Sequence, residues 1–265
     1  MSRPIFRFAP SPNGHLHLGH AFSALLNARM AAEVAGRFLV RIEDTDETRS
    51  RQELVTAIFE DLTWLGLQWE QPVRIQSEHF PEYQSNLHRL WNMGAVYPCF
   101  CSRKEALGKA LPIQDPDGQP HYGGTCRLLS PAEVNGRILR GDTHGWRIDM
   151  ERAGDDAAAI WGDTMIAKRH VGSSYHIAVV TDDALQGITH VVRGMDIEPS
   201  TALHKLLQRL LGLPTPHYHH HELIRDAAGN KLSKSLASTS LRELRQKGTT
   251  AGDIRERLGF SGSEV

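Results

Sequence analysis

The sequence predicts an α/β protein built on a parallel sheet, with an inserted module of short strands and loops and a small helical region near the carboxyl end. Three observations carry this. A strand, a helix and a second strand follow one another within about forty residues, and parallel strands joined this way form a right-handed βαβ unit. Residues 99–165 are rich in Gly, Pro and Asp, hold all three cysteines and show little long periodicity. Regular patterning then returns between residues 175 and 212.

Ile5-Phe6-Arg7-Phe8 begins the first strand, with Phe6 and Phe8 on one face and Arg7 on the other. The breaker cluster Pro10-Ser11-Pro12-Asn13-Gly14 ends it. Phe22, Leu25, Leu26, Met30 and Val34 then recur at helical spacing from about His20 until Gly36. Residues 37–43 read as a strand with Phe38, Val40 and Ile42 on one face. Ser50 and Glu53 have capping-box spacing and open a helix carrying Leu54, Ile58, Leu62 and Leu65. A further helix holds Tyr83, Leu87, Leu90 and Trp91 and stops at Gly94. After the inserted module, alternation over Tyr175–Val180 and Thr189–Arg193 predicts two strands. Ser200 caps a helix with Leu203, Leu206, Leu207, Leu210 and Leu211, closed by Gly212. Two short capped helices follow at 241–247 and 251–258. The expected organisation is 1–98 and 173–212 as two halves of the sheet domain, 99–172 as the inserted module, and 213–265 as a lysine-bearing loop with a helical region.

Composition narrows the function. At ~150 residues per domain, the 265 residues suit about two units. With 40% hydrophobic and 23% charged residues the chain can build a core. Thirty basic and thirty-one acidic side chains disfavour coating of nucleic acid by bulk charge, so a nucleic-acid partner would be held by local patches or by shape. The first residues lack the apolar stretch of a secretory signal, and no run of about eighteen apolar residues suggests a membrane span. Three cysteines, two of them in Cys99-Phe100-Cys101, suit reduced thiols in a cytoplasmic setting better than a disulfide scaffold. No long heptad pattern is visible, so a monomer is the expectation.

Three constellations carry chemistry. His17-Leu18-Gly19-His20 sits where the first strand gives way to a helix. A helix start offers free N–H groups and positive partial charge, and two imidazoles there can donate to phosphate oxygens. Glycine between them lets a flat base approach the backbone. The second is Lys231-Leu232-Ser233-Lys234-Ser235, after the turn-forming Asp226–Asn230. Two lysines on such a loop can close on a triphosphate and neutralise charge as pyrophosphate leaves. The third is Cys99-x-Cys101 with Cys126. Three thiolates suit a structural zinc site that needs a fourth ligand, for which His121 is the choice on chemistry alone. His219-His220-His221 does not read as a metal site, because adjacent strand residues point to opposite faces.

The order of the first two motifs, their separation by one inserted module and the βαβ start resemble the class I aminoacyl-tRNA synthetases, with HLGH and KLSKS at their two signature positions. The glutamyl branch is closer still. Arg7–Gly14 is similar to its RFAPSPTG segment, with Asn13 at the threonine, and Arg41–Asp46 and Val192–Gly194 are similar to two further segments. The resemblance implies a Rossmann-type parallel sheet and ATP-dependent activation of L-glutamate to glutamyl-adenylate. It places Arg7, Ala9, Ser11, Glu43, Tyr175 and Arg193 around glutamate. Arginine forks suit the two carboxylates, and Glu43 suits the ammonium. His17, Gly19, His20 and Lys234 fall to ATP, with His17, His20, Lys231 and Lys234 as the catalytic set and Mg²⁺ arriving with the nucleotide. For the cysteine module it implies Cys99, Cys101, Tyr122 and Cys126 as ligands of one structural Zn²⁺.

Only thirty residues follow Ser235, too few for the anticodon-binding region of a tRNA-charging enzyme. The short relatives that lack that region are the glutamyl-queuosine tRNA(Asp) synthetases. The expected activity is therefore transfer of glutamate to queuosine in the anticodon of tRNA(Asp). The alternatives are a truncated glutamyl-tRNA synthetase charging tRNA(Glu), or a non-catalytic relative that binds RNA or an amino acid.

Overall fold

The structure is a computed structural model of the 265-residue chain and describes residues 3–46, 48–224 and 239–260. In chain order the elements are β1 (Ile5–Phe8), α1 (Leu18–Glu33), β2 (Arg37–Ile42), α2 (Gln52–Trp64), β3 (Glu70–Ile75), α3 (Phe80–Asn92), β4 (Val96–Cys99), α4 (Arg103–Gly108), α5 (Pro131–Leu139), β5 (Gly145–Ile148), α6 (Met150–Ala153), β6 (Met165–Ala167), α7 (Tyr175–Leu185), β7 (His190–Gly194), α8 (Ser200–Leu211), β8 (His217–His221), α9 (Leu241–Gln246) and α10 (Ala251–Arg257). They form two compact units, Met1–Glu78 with Gln186–Glu198 and Pro216–Val265, and His79–Leu185 with Pro199–Thr215. Among the described residues no helix is long and apolar enough to cross a membrane.

The first unit is organised by a five-stranded sheet in the order β3-β2-β1-β7-β8, parallel throughout. The alternation read from the sequence sorts its two faces. Phe6 pairs with Phe38 and Phe8 with Val40. These four join Leu18, Leu25, Ile58, Leu62 and Val192 in one apolar cluster, reached also by Leu241 and Ile254 of α9 and α10. Each large side chain buried here contributes about 1.5–3 kcal/mol. The opposite face has a smaller cluster of Ile5, Ile188 and Val191, with Leu39 and Tyr218 against it. Strand order reverses direction between β1 and β7. In open α/β sheets ligands bind at the carboxyl ends of the strands beside such a switch point.

The helix expected after Ser50 starts later. Its N-cap is Arg51, which makes no side-chain cap. The Ser50 N–H is already donated to the Asp46 carbonyl at 3.1 Å, so Ser50 stands one place too early to cap. α1 begins at Leu18 rather than His20. The capping boxes at the two terminal helices do form, Ser240 with Glu243 and Thr250 with Asp253.

The second unit holds a three-stranded antiparallel sheet, β4-β5-β6, with α3, α7 and α8. One cluster joins them through Leu87, Leu90, Ile148, Ile166, Ile177, Leu203, Leu206 and Leu207. The units cut across the four expected segments. Residues 79–98, 173–185 and 199–212, expected with the parallel sheet, belong to the second unit, and β4 pairs with β5 of the inserted module. The strand expected at Tyr175–Val180 is the first half of helix α7. Ile177 through Asp183 are all buried there, and a helix buried nearly all round shows no polar stripe for sequence periodicity to detect. Ser200 is the first residue inside α8 instead of its cap, which is Pro199. Gly212 does close that helix, in the left-handed conformation at φ 61°. The inserted module also forms short helices, α4 and α5, each with a Ser/Glu capping box.

Candidate functional site

The first unit brings most of the expected site residues to the carboxyl ends of its strands. Arg7 lies on β1 and Arg193 on β7, only 4% and 5% exposed. They belong to the face opposite the large apolar cluster. Alternation carries Arg41 and then Glu43 onto that same face of β2 and its extension. The Glu43 N–H donates to the Pro10 carbonyl at 3.0 Å, which ties the Ala9–Ser11 turn to the end of β2. Asp44 accepts from the Ser77 N–H and hydroxyl at 2.8 and 2.6 Å, anchoring that end to the segment after β3.

Two features escaped the sequence reading. Arg41 is wholly buried and donates from one guanidinium nitrogen to Glu43 Oε1 at 3.0 Å and from the other to Gln186 Oε1 at 3.1 Å. The signal was present as the spacing of two residues between Arg41 and Glu43 in a strand. The second feature needs the sheet. β8 runs beside β7 with Arg193 opposite His220. The Arg193 guanidinium lies over the Tyr218 ring, 5.2 Å from its centroid, and its Nε donates to His220 Nε2 at 3.5 Å. Burial, with Arg193 adding to it, holds the His220 imidazole below its usual pKa, so it meets the guanidinium as an acceptor. The neighbouring His221 turns away, its ring edge-on to Phe22 at 5.0 Å. His220 and His221 thus point away from each other.

His17 caps α1. Its Nδ1 accepts the Gly19 N–H at 3.1 Å, and His20 Nδ1 accepts the His17 N–H at 3.1 Å. Each ring therefore carries its proton on Nε2 when neutral, which leaves an N–H donor at its far end. The ring centroids are 3.8 Å apart. Gly19 has a local reason beyond room for a base: a Cβ there would stand 3.0 Å from His17 Cε1. Backbone pairing holds this segment in place, Leu241 N–H to the Leu16 carbonyl at 2.8 Å and a bridge between His17 and Ser240. Lys231 and Lys234 lie outside the described residues.

Tyr175 begins α7 in the second unit, its ring 5.4 Å from His176 and 5.5 Å from His204. That unit also gathers the three cysteines. The sulfur atoms of Cys99, Cys101 and Cys126 all lie within 4.8 Å of one another. The Tyr122 hydroxyl is 3.2 Å from Cys101 Sγ and accepts the Cys126 N–H at 2.9 Å. A tetrahedral zinc with ~2.3 Å bonds to sulfur needs sulfurs about 3.8 Å apart, so three thiols and one phenol oxygen around a common centre fit that ion. The hydrogen bond from Cys99, with one from Tyr122, lowers the Cys126 pKa to about 6 and favours its thiolate. His121, the choice on chemistry alone, is turned aside: its Nε2 is 2.9 Å from the Ile160 carbonyl, and its ring packs where a Cβ on Gly162 would stand.

Comparison with known proteins identifies the family. Over 279 residues the chain is 43% identical to the Glutamyl-Q tRNA(Asp) synthetase of Rhodobacter capsulatus, covering 97% of this chain and 100% of that protein. It is 41% identical to glutamate–tRNA ligase 2 of Nitrosococcus oceani over 91% of this chain but 56% of that protein. Its fold matches a crystal structure of a glutamate tRNA ligase from Elizabethkingia meningosepticum in complex with its amino acid, at a TM-score of 0.76 and 28% identity, covering 93% of this chain and 53% of that one. The chain thus spans about half the length of the ligases it matches. Residues 5–260 match the family described as tRNA synthetases class I (E and Q), catalytic domain. The parallel sheet with its switch point, the histidine-capped helix beside it and this match over nearly the whole chain place the protein among the class I tRNA synthetases of the glutamyl and glutaminyl branch.

Proposed function

We propose that the protein activates L-glutamate with ATP and transfers it to the queuosine base in the anticodon of tRNA(Asp). One observation carries the amino-acid half. Two buried guanidiniums, Arg7 and Arg193, share a sheet face with the carboxylate Glu43. Such a site suits a ligand with two carboxylates and one ammonium, since guanidiniums take carboxylates in bidentate pairs. Ala9 and Ser11 would line it, and Tyr175 joins on the family resemblance. The RNA half rests on similarity along the whole of the Rhodobacter capsulatus protein.

Activation joins an α-carboxylate oxygen of glutamate to the α-phosphorus of ATP and breaks the bond to the β-phosphate, releasing pyrophosphate. The protein's work in this step is positioning and charge neutralisation. The Nε2–H groups of His17 and His20 would donate to phosphate oxygens at the start of α1, where Gly19 keeps the chain close, and Lys231 and Lys234 would neutralise the leaving pyrophosphate. Mg²⁺ enters with ATP. In the second step a hydroxyl of the queuosine cyclopentenediol attacks the activated carbonyl carbon, and AMP leaves. Zn²⁺ on Cys99, Cys101, Tyr122 and Cys126 would crosslink the inserted module and so stabilise it.

The test is transfer of radiolabelled glutamate, with ATP, to tRNA(Asp) carrying queuosine and separately to tRNA(Glu). Label on the first alone is the expected result. Label on tRNA(Glu) would favour the charging reaction, which the 41% identity to a longer glutamate–tRNA ligase keeps as the second reading. Absence of glutamate-dependent pyrophosphate exchange with either tRNA present would overturn both.

A further inference from the structure

Beside the cysteine cluster a cavity of about 520 Å³ opens between α4, the Asp115–Gln119 turn and the strand residues Arg147 and Met165. Its size lies within the roughly 300–1,000 Å³ of small-ligand pockets. Nothing in the proposed amino-acid or nucleotide sites uses it.

Its walls combine cations with flat and apolar surfaces. Arg103, Arg147 and Arg169 line it, with Tyr122 and Leu107. Arg147 donates to the Asp163 carbonyl at 2.8 Å and to Cys99 Sγ at 3.4 Å. Arg169 donates to the carbonyls of Phe100 and Cys101 at 2.9 and 2.7 Å. The acceptors of Arg169 are backbone carbonyls, so those bonds orient its guanidinium without cancelling its charge, whereas Arg147 also faces Cys99, a ligand of the proposed zinc. The acidic lining residues have structural partners. Asp163 is paired with Arg127 at 3.5 Å, and Asp115 accepts the N–H groups of Asp117 and Gln119, bonds that hold it in its turn without removing its charge. Leu107, which lines the cavity, and Leu111, Ile113 and Ile160 in the neighbouring segments are apolar and exposed. The last three are bonded through their backbones to His121, itself a lining residue.

An apolar wall residue, Leu107, beside the exposed Arg103 and the oriented guanidinium of Arg169 suits a flat base attached to a phosphate. We infer that this cavity receives one unpaired nucleotide of the tRNA loop, its base against Leu107 and its phosphate toward Arg103 and Arg169. Splayed bases that stack on side chains and guanidinium planes are the usual means of reading single-stranded RNA. The inference builds on the proposed function and names a contact that holds the RNA apart from the chemistry. It also accounts for how a chain of net charge −1 could hold RNA, through a local site in place of a basic surface.

The experiment uses the full-length protein and an anticodon stem-loop of tRNA(Asp) with 2-aminopurine placed at one loop position at a time. Binding to wild type should quench the fluorophore at one position through stacking. Leu107→Asp, which puts a charge against the base, and Arg103→Glu, which reverses an exposed charge, should each weaken stem-loop binding about ten-fold, the loss expected for one unstacked base. Both should leave zinc content and glutamate-dependent pyrophosphate exchange at wild-type values. Affinities within two-fold of wild type in both variants, or no quenching at any loop position, would overturn the inference. The proposed function fails separately, if wild-type protein transfers no glutamate to queuosine-containing tRNA(Asp).

Discussion

Arg41→Leu offers a sharp test of the site, because the structure makes opposite forecasts for one substitution and for two. Arg41 is wholly buried, and the Glu43 side chain beside it is 8% exposed, with the charges 3.0 Å apart. Removing one partner of a buried ion pair leaves the other charge desolvated without that compensation, which costs about 3–5 kcal/mol. Gln186 Oε1 also loses the donor that Arg41 supplies at 3.1 Å, worth about 1 kcal/mol. Arg41→Leu should therefore lower the free energy of unfolding by about 3–5 kcal/mol in urea titrations at constant m-value. The double variant Arg41→Leu, Glu43→Leu should recover most of that loss, since replacing a buried pair by apolar residues is often neutral. Function should separate from stability. In the single variant Glu43 has lost the guanidinium that holds it in place, so the KM for glutamate in pyrophosphate exchange should rise. The double variant should be stable yet unable to bind glutamate. A loss below about 1 kcal/mol in the single variant, the range of exposed pairs, would refute the reading of Arg41 as the residue that holds Glu43.

Arg193→Ala should raise the KM for glutamate by ten-fold or more with a smaller effect on kcat, since charge-assisted hydrogen bonds are worth about 1.5–3 kcal/mol; an unchanged KM would remove Arg193 from the amino-acid site. Purified protein should carry about one zinc per chain, the number a single four-ligand site holds, and Cys126→Ser should lose it. Elemental analysis finding no zinc in protein prepared without chelators would refute the assignment. Burial raises the Asp61 carboxyl to a pKa of about 6, against 3.8 ordinarily, although Arg245 lies 3.6 Å away. A folded-state pKa above the unfolded one means that the folded protein binds the extra proton, so this group's contribution to stability falls as pH rises from about 4 to about 6. Asp61→Asn should therefore stabilise the protein at pH 8, by at most about 3 kcal/mol at 1.36 kcal/mol per pKa unit, and not at pH 4. Equal effects at both pH values would contradict the buried-charge account.

Elements whose chemistry is short-range were legible from local patterns alone. Alternation in Ile5–Phe8 and Arg37–Ile42 marked two strands and their faces, because side-chain direction along a strand repeats every two residues. The Ser240/Glu243 and Thr250/Asp253 pairs marked two helix starts, because a cap is satisfied within three residues. The histidine and cysteine motifs were legible because their spacing is itself the chemistry. Other features depended on residues distant in the chain. Tyr175–Leu185 is helical because its neighbours bury it nearly all round, and no local pattern encodes that. Arg193 meets Tyr218 and His220 because β8 lies beside β7 in register, and Arg41 reaches Gln186 across 145 residues of sequence. His121 and Tyr122 are adjacent in sequence, yet only Tyr122 faces the thiols, because the Ile160 carbonyl takes the imidazole. Which side chains converge on a site is set by register and burial between elements, and those exist only once the chain has folded.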